Sequence, residues 1–436
     1  MSSSTRVMAN TLSQLASRGL VILASLLTTA LLTRMFGSSV YGDYVFITSF
    51  ILIFVGISDL GMTTIGVREA SADKRKTGEI FSYVLGFRLA TSLVLLFFLN
   101  FLIYLLPQFA QLRLPTMIAS SVIFFLAFRT TIQGVLQSYL RLDLASLLEI
   151  FAAIFFLFPL ISFWLLKKPI SLTLLMVLWS LSALVSSSLG FLLSSKFLKL
   201  KASFDTSKIT RLAKEAFPLG AYLLVYSISD RGIDSFLLKT YVGSSAVGYY
   251  GLAYKIHSNL ILGAAFLMNS LFPLLSSFKP SSRILRKTFE QAFTVLLMVG
   301  FLAAGTFFVL APLVIRIISG ADFPPSILAL RILLPATFLS YLNHLTGYLL
   351  VALGKQRRLL HFSILAFLVN FLFNLVFIPF FSFYAAAAIT VLTELVLLVL
   401  TLRHLGRDFG LRFSSKIFSQ NLRLLIQRKE RFFDSN

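Results

Sequence analysis

Arginines inside long apolar runs are the residues of this sequence whose types and positions best suit chemistry. Arg18, Arg88 and Arg129 each lie in a run of about 20 mostly apolar residues. A charge in the middle of such a helix costs roughly 2.5–3.5 kcal/mol or more, so it usually faces a bundle interior or a water-filled cavity. A guanidinium donates paired hydrogen bonds to phosphate oxygens. We therefore predict that these arginines bind an anionic headgroup, with structural pairing to Asp59 or Glu149 as the alternative.

Polar side chains that recur at helical spacing extend these candidate sites. Gln14 lies on the same predicted helical face as Arg18, and Gln133 follows Arg129 by one turn. We predict that both glutamines line the cavity. In the second half of the chain, further polar and aromatic side chains recur at helical spacing. They could bind sugar hydroxyls, although aromatic residues at this spacing also serve packing. These further candidates are Tyr222, Tyr226, Tyr341 and His344.

The eighth apolar run contains two titratable residues on opposite helical faces. Lys255 and His257 lie roughly 160° apart on the helical wheel, so both cannot line one cavity. Lys255 is the more costly residue to bury, and we predict that it binds the headgroup or pairs with Asp230 or Asp234. His257 is then expected to pack against a neighbouring helix, with its ring bonded to a hydroxyl.

Carboxylates within apolar runs could couple transport to an ion gradient. Such carboxylates recur in proton and cation relays, and ion pairing with an arginine explains them equally well. The sequence contains no cysteine, no glycine-rich nucleotide loop and no His/Glu metal motif, so we expect neither a cofactor nor a metal. A proton or Na⁺ gradient is the possible energy source. The candidate carboxylates are Asp59, Asp230, Asp234 and Glu394.

The elements that must position these side chains are membrane-spanning helices. Hydrophobic residues make up 57% of the sequence, and the mean hydropathy is +0.88, well beyond the roughly half-apolar content of soluble domains. We predict an all-α polytopic membrane protein with about twelve spans in two pseudo-symmetric six-helix bundles. The predicted spans are residues 10–33, 44–67, 81–106, 116–138, 146–166, 171–195, 213–238, 246–274, 289–318, 327–353, 361–381 and 384–402.

The basic residues follow the topology of these spans. The net charge of +22 would favour nucleic-acid binding in a soluble protein. Here most of the 39 Lys and Arg residues fall in alternate connecting segments, which is the positive-inside pattern. It predicts a cytoplasmic-membrane protein with both termini in the cytoplasm and no nucleic-acid partner. The predicted lobes are 1–205 and 206–403, and residues 404–436 form a basic tail, either an amphipathic helix on membrane lipids or a disordered segment.

An internal repeat marks the two halves. Residues 37–44, GSSVYGDY, return 206 residues later as residues 243–250, GSSAVGYY. Both copies lie between the first two apolar runs of their half. Repeats of this length in a membrane protein indicate a duplicated bundle, with the substrate path between the copies. We predict that the glycines and hydroxyls of the repeat form tight helix-to-helix turns.

Several short motifs of the first half resemble the N-terminal signature of polysaccharide-biosynthesis transporters. They are residues 34–37 (RMFG), 41–44 (YGDY), 58–61 (SDLG) and 67–70 (VREA), echoed at Gly243 and by residues 352–355 (ALGK). This family comprises the Wzx-type flippases of the multidrug/oligosaccharidyl-lipid/polysaccharide (MOP) exporter superfamily. The resemblance implies two rocking lobes and a polyprenyl-diphosphate-linked glycan as substrate. Polysaccharide polymerase and glycosyltransferases are the possible protein partners.

The resemblance also suggests roles for two residues and leaves other functions open. Arg18 corresponds to the first-span arginine of the related lipid-II flippases and Lys255 to their eighth-span cation, where lysine replaces arginine. A multidrug or cation exporter of the same superfamily and a lipid-II-type flippase are the alternatives. A membrane glycosyltransferase or ligase is more remote, because the predicted outer loops are too short for a catalytic domain. We therefore expect a transporter and not an enzyme.

Overall fold

The computed structural model describes the backbone of residues 3–411 except residues 199, 279 and 281. It describes side chains from residue 17 onward, except those of residues 226, 229–231, 269, 270 and 273. Of the predicted basic tail, residues 404–408 continue the last helix, and residues 412–436 lie outside the described part. The helices are α1 (Ser3–Asp59), α2 (Met62–Ala72), α3 (Thr77–Leu105), α4 (Arg113–Ser138), α5 (Leu142–Leu165), α6 (Leu172–Ser194), α7 (Thr206–Arg231), α8 (Ile233–Tyr241), α9 (Ser244–Ser277), α10 (Arg283–Ser319), α11 (Pro325–Ala352) and α12 (Gln356–Asp408).

The two longest helices each contain a break and therefore supply two spans. In α1 the break is Gly37, with φ 68°, and in α12 it is Ser382, with φ 57°. Eight of the described helices, including both of these, are long and apolar enough to cross a membrane. The remaining predicted spans correspond to α7 with α8 and to α9, the least apolar pair. The predicted all-α fold of about twelve spans is confirmed.

The second predicted span, 44–67, is wrong at its end. The helix stops at Asp59, because Leu60 and Gly61 adopt φ values of 43° and 80°, and the short helix α2 begins after them. The Asp59 carboxylate accepts hydrogen bonds from the backbone N–H groups of Gly61 and Thr63, both at 3.2 Å. It thereby satisfies donors at the start of α2 that have no partner within the helix.

The seventh predicted span, 213–238, is also corrected. Its helix begins earlier, at Thr206, because the Asp205 side chain accepts from the N–H groups of Ser207 and Lys208 at 3.0 and 3.2 Å. The helix is then interrupted at Gly232, so that residues 206–231 form α7 and residues 233–241 form α8. The predicted single span is therefore two consecutive helices.

The repeated glycines form the predicted turns. Gly37 and Gly243 have φ values of 68° and 114°, in the region that favours glycine. The two copies also pack against each other. A Cβ on Gly42 would collide with the carbonyl oxygen of Ser244, and a Cβ on Gly248 would collide with that of Ser38. Because Gly42 and Gly248 occupy the same offset in the two copies, this reciprocal contact is what a pseudo-two-fold duplication produces.

The chain divides into two compact units. Unit 1 comprises residues 1–248 and 318–322, and unit 2 comprises residues 249–317 and 323–436. The predicted division between residues 205 and 206 remains a prediction. Within unit 1, the connector before α7 lies along α3: the Ser203 N–H donates to the Ser82 carbonyl at 3.0 Å, and a Cβ on Gly86 would collide with the Ser203 carbonyl.

Candidate functional site

Arg88 lies at the centre of a buried polar cluster in unit 1, in which its Nε has no hydrogen-bond partner among the described residues. Its side chain is about 2% exposed, and its Nη1 atom lies 3.3 Å from Asp59 Oδ1. The same nitrogen donates to the hydroxyls of Thr63 at 2.9 Å and Thr130 at 2.5 Å. Asp59 Oδ1 also accepts from the Thr63 hydroxyl at 2.5 Å. We call these four residues the Arg88 cluster.

The Arg88 cluster ties α3 and α4 to the break between α1 and α2. Asp59 ends α1, Thr63 begins α2, and Thr130 lies on α4. This arrangement corresponds to the structural pairing that the sequence left open as an alternative for Arg88. Headgroup binding by Arg88, and ion coupling at Asp59, stay predictions, and in this arrangement both groups already have protein partners.

Arg129 lies in a second, more open cluster between α4, α5 and α6. Its Nη1 donates to the Ser186 hydroxyl at 3.3 Å, and its buried Nε has no hydrogen-bond partner among the described residues. One turn along α4, the Gln133 side-chain amide donates to Glu149 Oε1 at 3.2 Å and to the Ala145 carbonyl at 3.0 Å. Glu149 is exposed. We call Arg129, Gln133, Glu149 and Ser186 the Arg129 cluster.

Serines on α6 hold this open cluster in place, and sequence reasoning missed them. Ser187 donates to the Phe125 carbonyl of α4 at 2.7 Å, and Ser182 donates to the Ala152 carbonyl of α5 at 2.8 Å. Ser180 donates to the Ile118 carbonyl of α4 at 3.1 Å. The signal that could have found them is the density of serines between residues 180 and 188, in an otherwise apolar helix.

The remaining candidates of unit 1 differ in how far the structure describes them. Arg18 is an exposed side chain on α1, in contrast to the buried Arg88. The side chains of Gln14, Tyr226 and Asp230 lie outside the described residues. Tyr222 is half-buried on α7, and Asp234 is buried on α8. The roles predicted for all of these residues stay predictions.

In unit 2, the two titratable residues of α9 separate as the sequence predicts. His257 is 1% exposed, and its Nδ1 lies 2.8 Å from the Thr337 hydroxyl of α11. Packing of this ring against a neighbouring helix, with a hydroxyl as its partner, is confirmed. Lys255 is half-buried. Its predicted role in headgroup binding or ion pairing stays a prediction.

The other candidates of unit 2 make hydrogen bonds within or between helices. The Tyr341 hydroxyl donates to the Leu260 carbonyl at 3.0 Å, and His344 Nδ1 lies 2.8 Å from the Ser340 carbonyl. Glu394 of α12 accepts from the side-chain amide of Asn343 of α11 at 2.6 Å. Within the described residues, no group of three or more His, Cys, Asp and Glu side chains could hold a metal ion.

Ion pairs join α2 to α7 on the side of unit 1 that carries Arg141, which we call the basic side. Arg68 Nη2 lies 2.6 Å from Glu215, and Arg211 lies 3.6 Å from Glu69. Between these helices, Met62, Ile65, Ala70, Leu212 and Ala216 belong to one buried cluster. A Cβ on Gly220 would collide with the Leu60 carbonyl, so the two backbones are in direct contact.

A smaller polar contact lies at the opposite ends of the unit 1 helices, beside the repeated turns. Asp43 Oδ1 accepts from Lys239 Nζ and from the Ser244 hydroxyl, both at 2.6 Å. Both charged side chains are about 15% exposed. The contact joins α1 to the α8–α9 turn. Asp43 stands in the repeat, but sequence reasoning assigned the repeat only a turn.

Comparison with known proteins gives one family match. The model of the family described as "Polysaccharide biosynthesis protein" matches residues 7–279. No curated protein matches the chain in a sequence search.

Solved structures match almost the whole chain in fold. A lipid II flippase MurJ in an inward closed conformation has a TM-score of 0.73 at 15% identity, over 98% of this chain and 94% of its own. An inward-facing multidrug resistance MATE family transporter of the MOP superfamily has a TM-score of 0.69 at 16% identity, over 92% and 98%. A MOP superfamily transporter from Pyrococcus furiosus has a TM-score of 0.65 at 15% identity, over 93% and 95%.

Proposed function

The chain belongs to the polysaccharide biosynthesis protein family, and on that premise we propose that it moves a polyprenyl-diphosphate-linked oligosaccharide across the cytoplasmic membrane for cell-surface polysaccharide synthesis. It is a multi-pass membrane protein with the fold of MOP superfamily transporters. The observation that carries the proposal is the open Arg129 cluster: a partly bonded guanidinium and a polar neighbourhood inside the hydrophobic bundle of unit 1.

The headgroup enters unit 1 near two of its arginines. Among the described residues, the buried Nε of Arg129 has no hydrogen-bond partner, and Arg18 has an exposed side chain on α1. Lys255 supplies a further cation in the second half of the chain. Arg88 contributes indirectly, because its cluster fixes the ends of α1 and α2. The polyprenyl chain remains in lipid, where its apolar surface incurs no transfer cost.

Alternating access requires that contacts at one end of unit 1 open while those at the other end stay closed. The α2–α7 ion pairs and the Asp43–Lys239 pair suit this role, since both join helices of the two sequence repeats at opposite ends. Exposed ion pairs such as Arg68–Glu215 are worth roughly 0–1 kcal/mol, so they can break at low cost. The basic side faces the cytoplasm, as the positive-inside pattern predicts.

The energy source is an ion gradient. Glu394, bonded to Asn343 inside unit 2, is the carboxylate whose protonation or cation binding would alter helix packing most directly. Asp59, Asp230 and Asp234 remain further coupling candidates. The protein acts as a transporter without a cofactor and without catalysis, and the cell's polymerase and glycosyltransferases supply and use its substrate.

Lipid II is the second candidate substrate. The observation that favours it is the likeness in fold to a lipid II flippase over 98% of this chain. Both lipids share a polyprenyl diphosphate, so the same cationic residues serve either substrate. Flipping of the two lipids by the same preparation distinguishes the candidates.

A proteoliposome assay tests the proposal. Fluorescently labelled lipid-linked oligosaccharide is reconstituted with the protein, and its movement between leaflets is followed by quenching from outside. Arg18→Ala, Arg88→Ala and Arg129→Ala are compared with Arg113→Ala, which changes an exposed arginine at the far end of α4. We expect the control to flip at the wild-type rate. Wild-type rates in all three test variants would contradict the assignment of these arginines.

A further inference from the structure

The Arg129 cluster presents both hydrogen-bond donors and an acceptor to the same region. This combination limits the kind of ligand that the cluster can bind. Arg129 offers a buried Nε with no partner, and its Nη1 bond to Ser186 is long at 3.3 Å. Glu149 accepts from Gln133 through Oε1 at 3.2 Å, and its side chain is exposed. The described residues form no ion pair between Arg129 and Glu149. A ligand can therefore contact both.

The cluster also lies at a depth where exposure of a carboxylate is costly. Arg129 lies nine residues from the end of α4, Glu149 seven residues from the start of α5, and Ser186 eight residues from the end of α6. At 1.5 Å per residue the cluster is about 10–14 Å from these helix ends. An exposed carboxylate at this level needs water or a polar ligand beside it.

On the premise of the proposed function, we propose that the Arg129 cluster binds the glycan of the substrate through its hydroxyl groups, with Glu149 as the acceptor and Arg129 and Gln133 as donors. A diphosphate is acceptor-only and anionic, so a carboxylate at its site repels it. A sugar hydroxyl donates and accepts at once and matches a carboxylate beside a guanidinium. The cluster thus selects for a glycosylated lipid over the bare lipid carrier.

Removal of the Glu149 charge distinguishes a glycan site from a diphosphate site, because the two kinds of site predict different changes in lipid binding. If Arg129 bound the diphosphate, removal of the Glu149 charge would strengthen binding of every polyprenyl diphosphate equally, because a repulsion would be lost. If the cluster binds sugar hydroxyls, the same change removes an ionised acceptor and weakens only the glycosylated lipid. Hydrogen bonds to charged groups are strong enough to make this loss about tenfold or more.

Binding to purified protein in nanodiscs tests the proposal with two probes, undecaprenyl diphosphate and undecaprenyl diphosphate carrying a disaccharide. We expect the wild type to prefer the disaccharide form and Glu149→Gln to reduce that preference about tenfold or more. Binding of the bare lipid should be unchanged or tighter. Glu79→Gln is the matched control, because Glu79 is an exposed carboxylate of the same unit, bonded to Tyr83 on the basic side, and should leave both affinities unchanged.

Three results would overturn the inference. Equal effects of Glu149→Gln on both lipids would make the cluster a diphosphate site or a structural one. A wild type that binds both lipids with equal affinity would remove the glycan preference while leaving the proposed function intact. A wild type that binds neither lipid would contradict the proposed function itself. Since Glu149 is exposed, its neutral replacement is expected to fold normally, and the melting temperature checks this.

Discussion

Arg88 and Arg129 lie in the same helical unit, yet they have opposite environments. Arg88 is about 2% exposed and has a carboxylate and two hydroxyls around one nitrogen. Arg129 is half-buried, and its Nη1 donates to one hydroxyl at 3.3 Å. The Nε atoms of both arginines have no hydrogen-bond partner among the described residues, so the difference lies in the terminal nitrogens. A guanidinium whose partners come from the protein stabilises the fold. One whose donors remain open at membrane depth is suited to a ligand.

The two environments share helix α4. Thr130 completes the Arg88 cluster, and the preceding residue, Arg129, is the centre of the other. Successive residues on an α-helix point about 100° apart, so a single helix faces α3 with one residue and α5 and α6 with the next. The position of a charge in a membrane span therefore does not reveal its role, and the residues that the neighbouring helices supply determine it.

The largest expected effect is on stability, from Arg88→Met. The change leaves Asp59 without its cationic partner, and breaking a buried pair in this way costs about 3–5 kcal/mol. We expect the apparent melting temperature of the protein in nanodiscs to fall sharply. Arg129→Met is the matched control, and it should change the melting temperature much less, because Arg129 forms no ion pair with a carboxylate among the described residues.

The double variant Arg88→Met/Asp59→Asn tests whether the two charges act as a pair. Removing both charges takes away the uncompensated carboxylate, and the single carbonyl oxygen of the asparagine can still accept from one of the two N–H groups at the start of α2. We expect it to recover most of the stability that Arg88→Met loses. A double variant no more stable than Arg88→Met would show that the pair does not act as a unit.

A smaller loss is expected from Thr130→Val. The valine keeps the shape of the side chain but removes the hydroxyl that accepts from Arg88 at 2.5 Å. Losing one acceptor around a buried charged donor costs about 1–3 kcal/mol. The melting temperature again measures it. Thr116→Val, which removes a hydroxyl bonded only to the Leu112 carbonyl of its own helix turn, serves as the control.

Ser186→Ala should have less effect on stability than Thr130→Val. The Ser186 hydroxyl lies 3.3 Å from Arg129, a long hydrogen bond, so its loss is expected to cost about 0.5 kcal/mol. A loss as large as that of Thr130→Val would mean that the Arg129 cluster is as closed as the Arg88 cluster. That result would remove the contrast between them.

The smallest effect is expected at Arg141 and Asp143, an arginine–carboxylate pair at the start of α5 and ahead of the predicted span 146–166, on the basic side. The hydrogen bond from Arg141 holds the pKa of Asp143 below its ordinary value. The pair therefore adds stability above the ordinary carboxyl pKa, and this is lost as the pH falls through the lowered one. Both side chains are about 40% exposed, so we expect no more than roughly 0.2–0.3 kcal/mol. Asp143→Asn should abolish this pH dependence in thermal melts.

Much of the fold follows from local sequence signals. Apolar runs define the helices, and the repeated glycines predict the turns at Gly37 and Gly243, where positive φ values require them. The predicted hydroxyl partner of His257 is also confirmed, because a buried ring nitrogen needs a hydrogen bond and α11 supplies the Thr337 hydroxyl.

Tertiary partners were less predictable. The break after Asp59 was missed because the apolar run continues through residues 60–67, while the capping carboxylate and Gly61 end the helix within it. Sequence could name Asp59 and Glu149 as possible partners of the arginines, but not which arginine would form an ion pair. That depends on which helices pack beside α4, and no local pattern specifies it.

The rate of lipid-linked oligosaccharide flipping by Arg129→Met in proteoliposomes tests whether Arg129 contacts the substrate. The rate is normalised to folded protein and compared with that of the wild type. If the open guanidinium handles the substrate, the normalised rate falls about tenfold or more, because a charge-assisted contact is lost, while the melting temperature stays near that of the wild type. A variant that flips the lipid at the wild-type rate would contradict the division between a structural Arg88 and a substrate-binding Arg129.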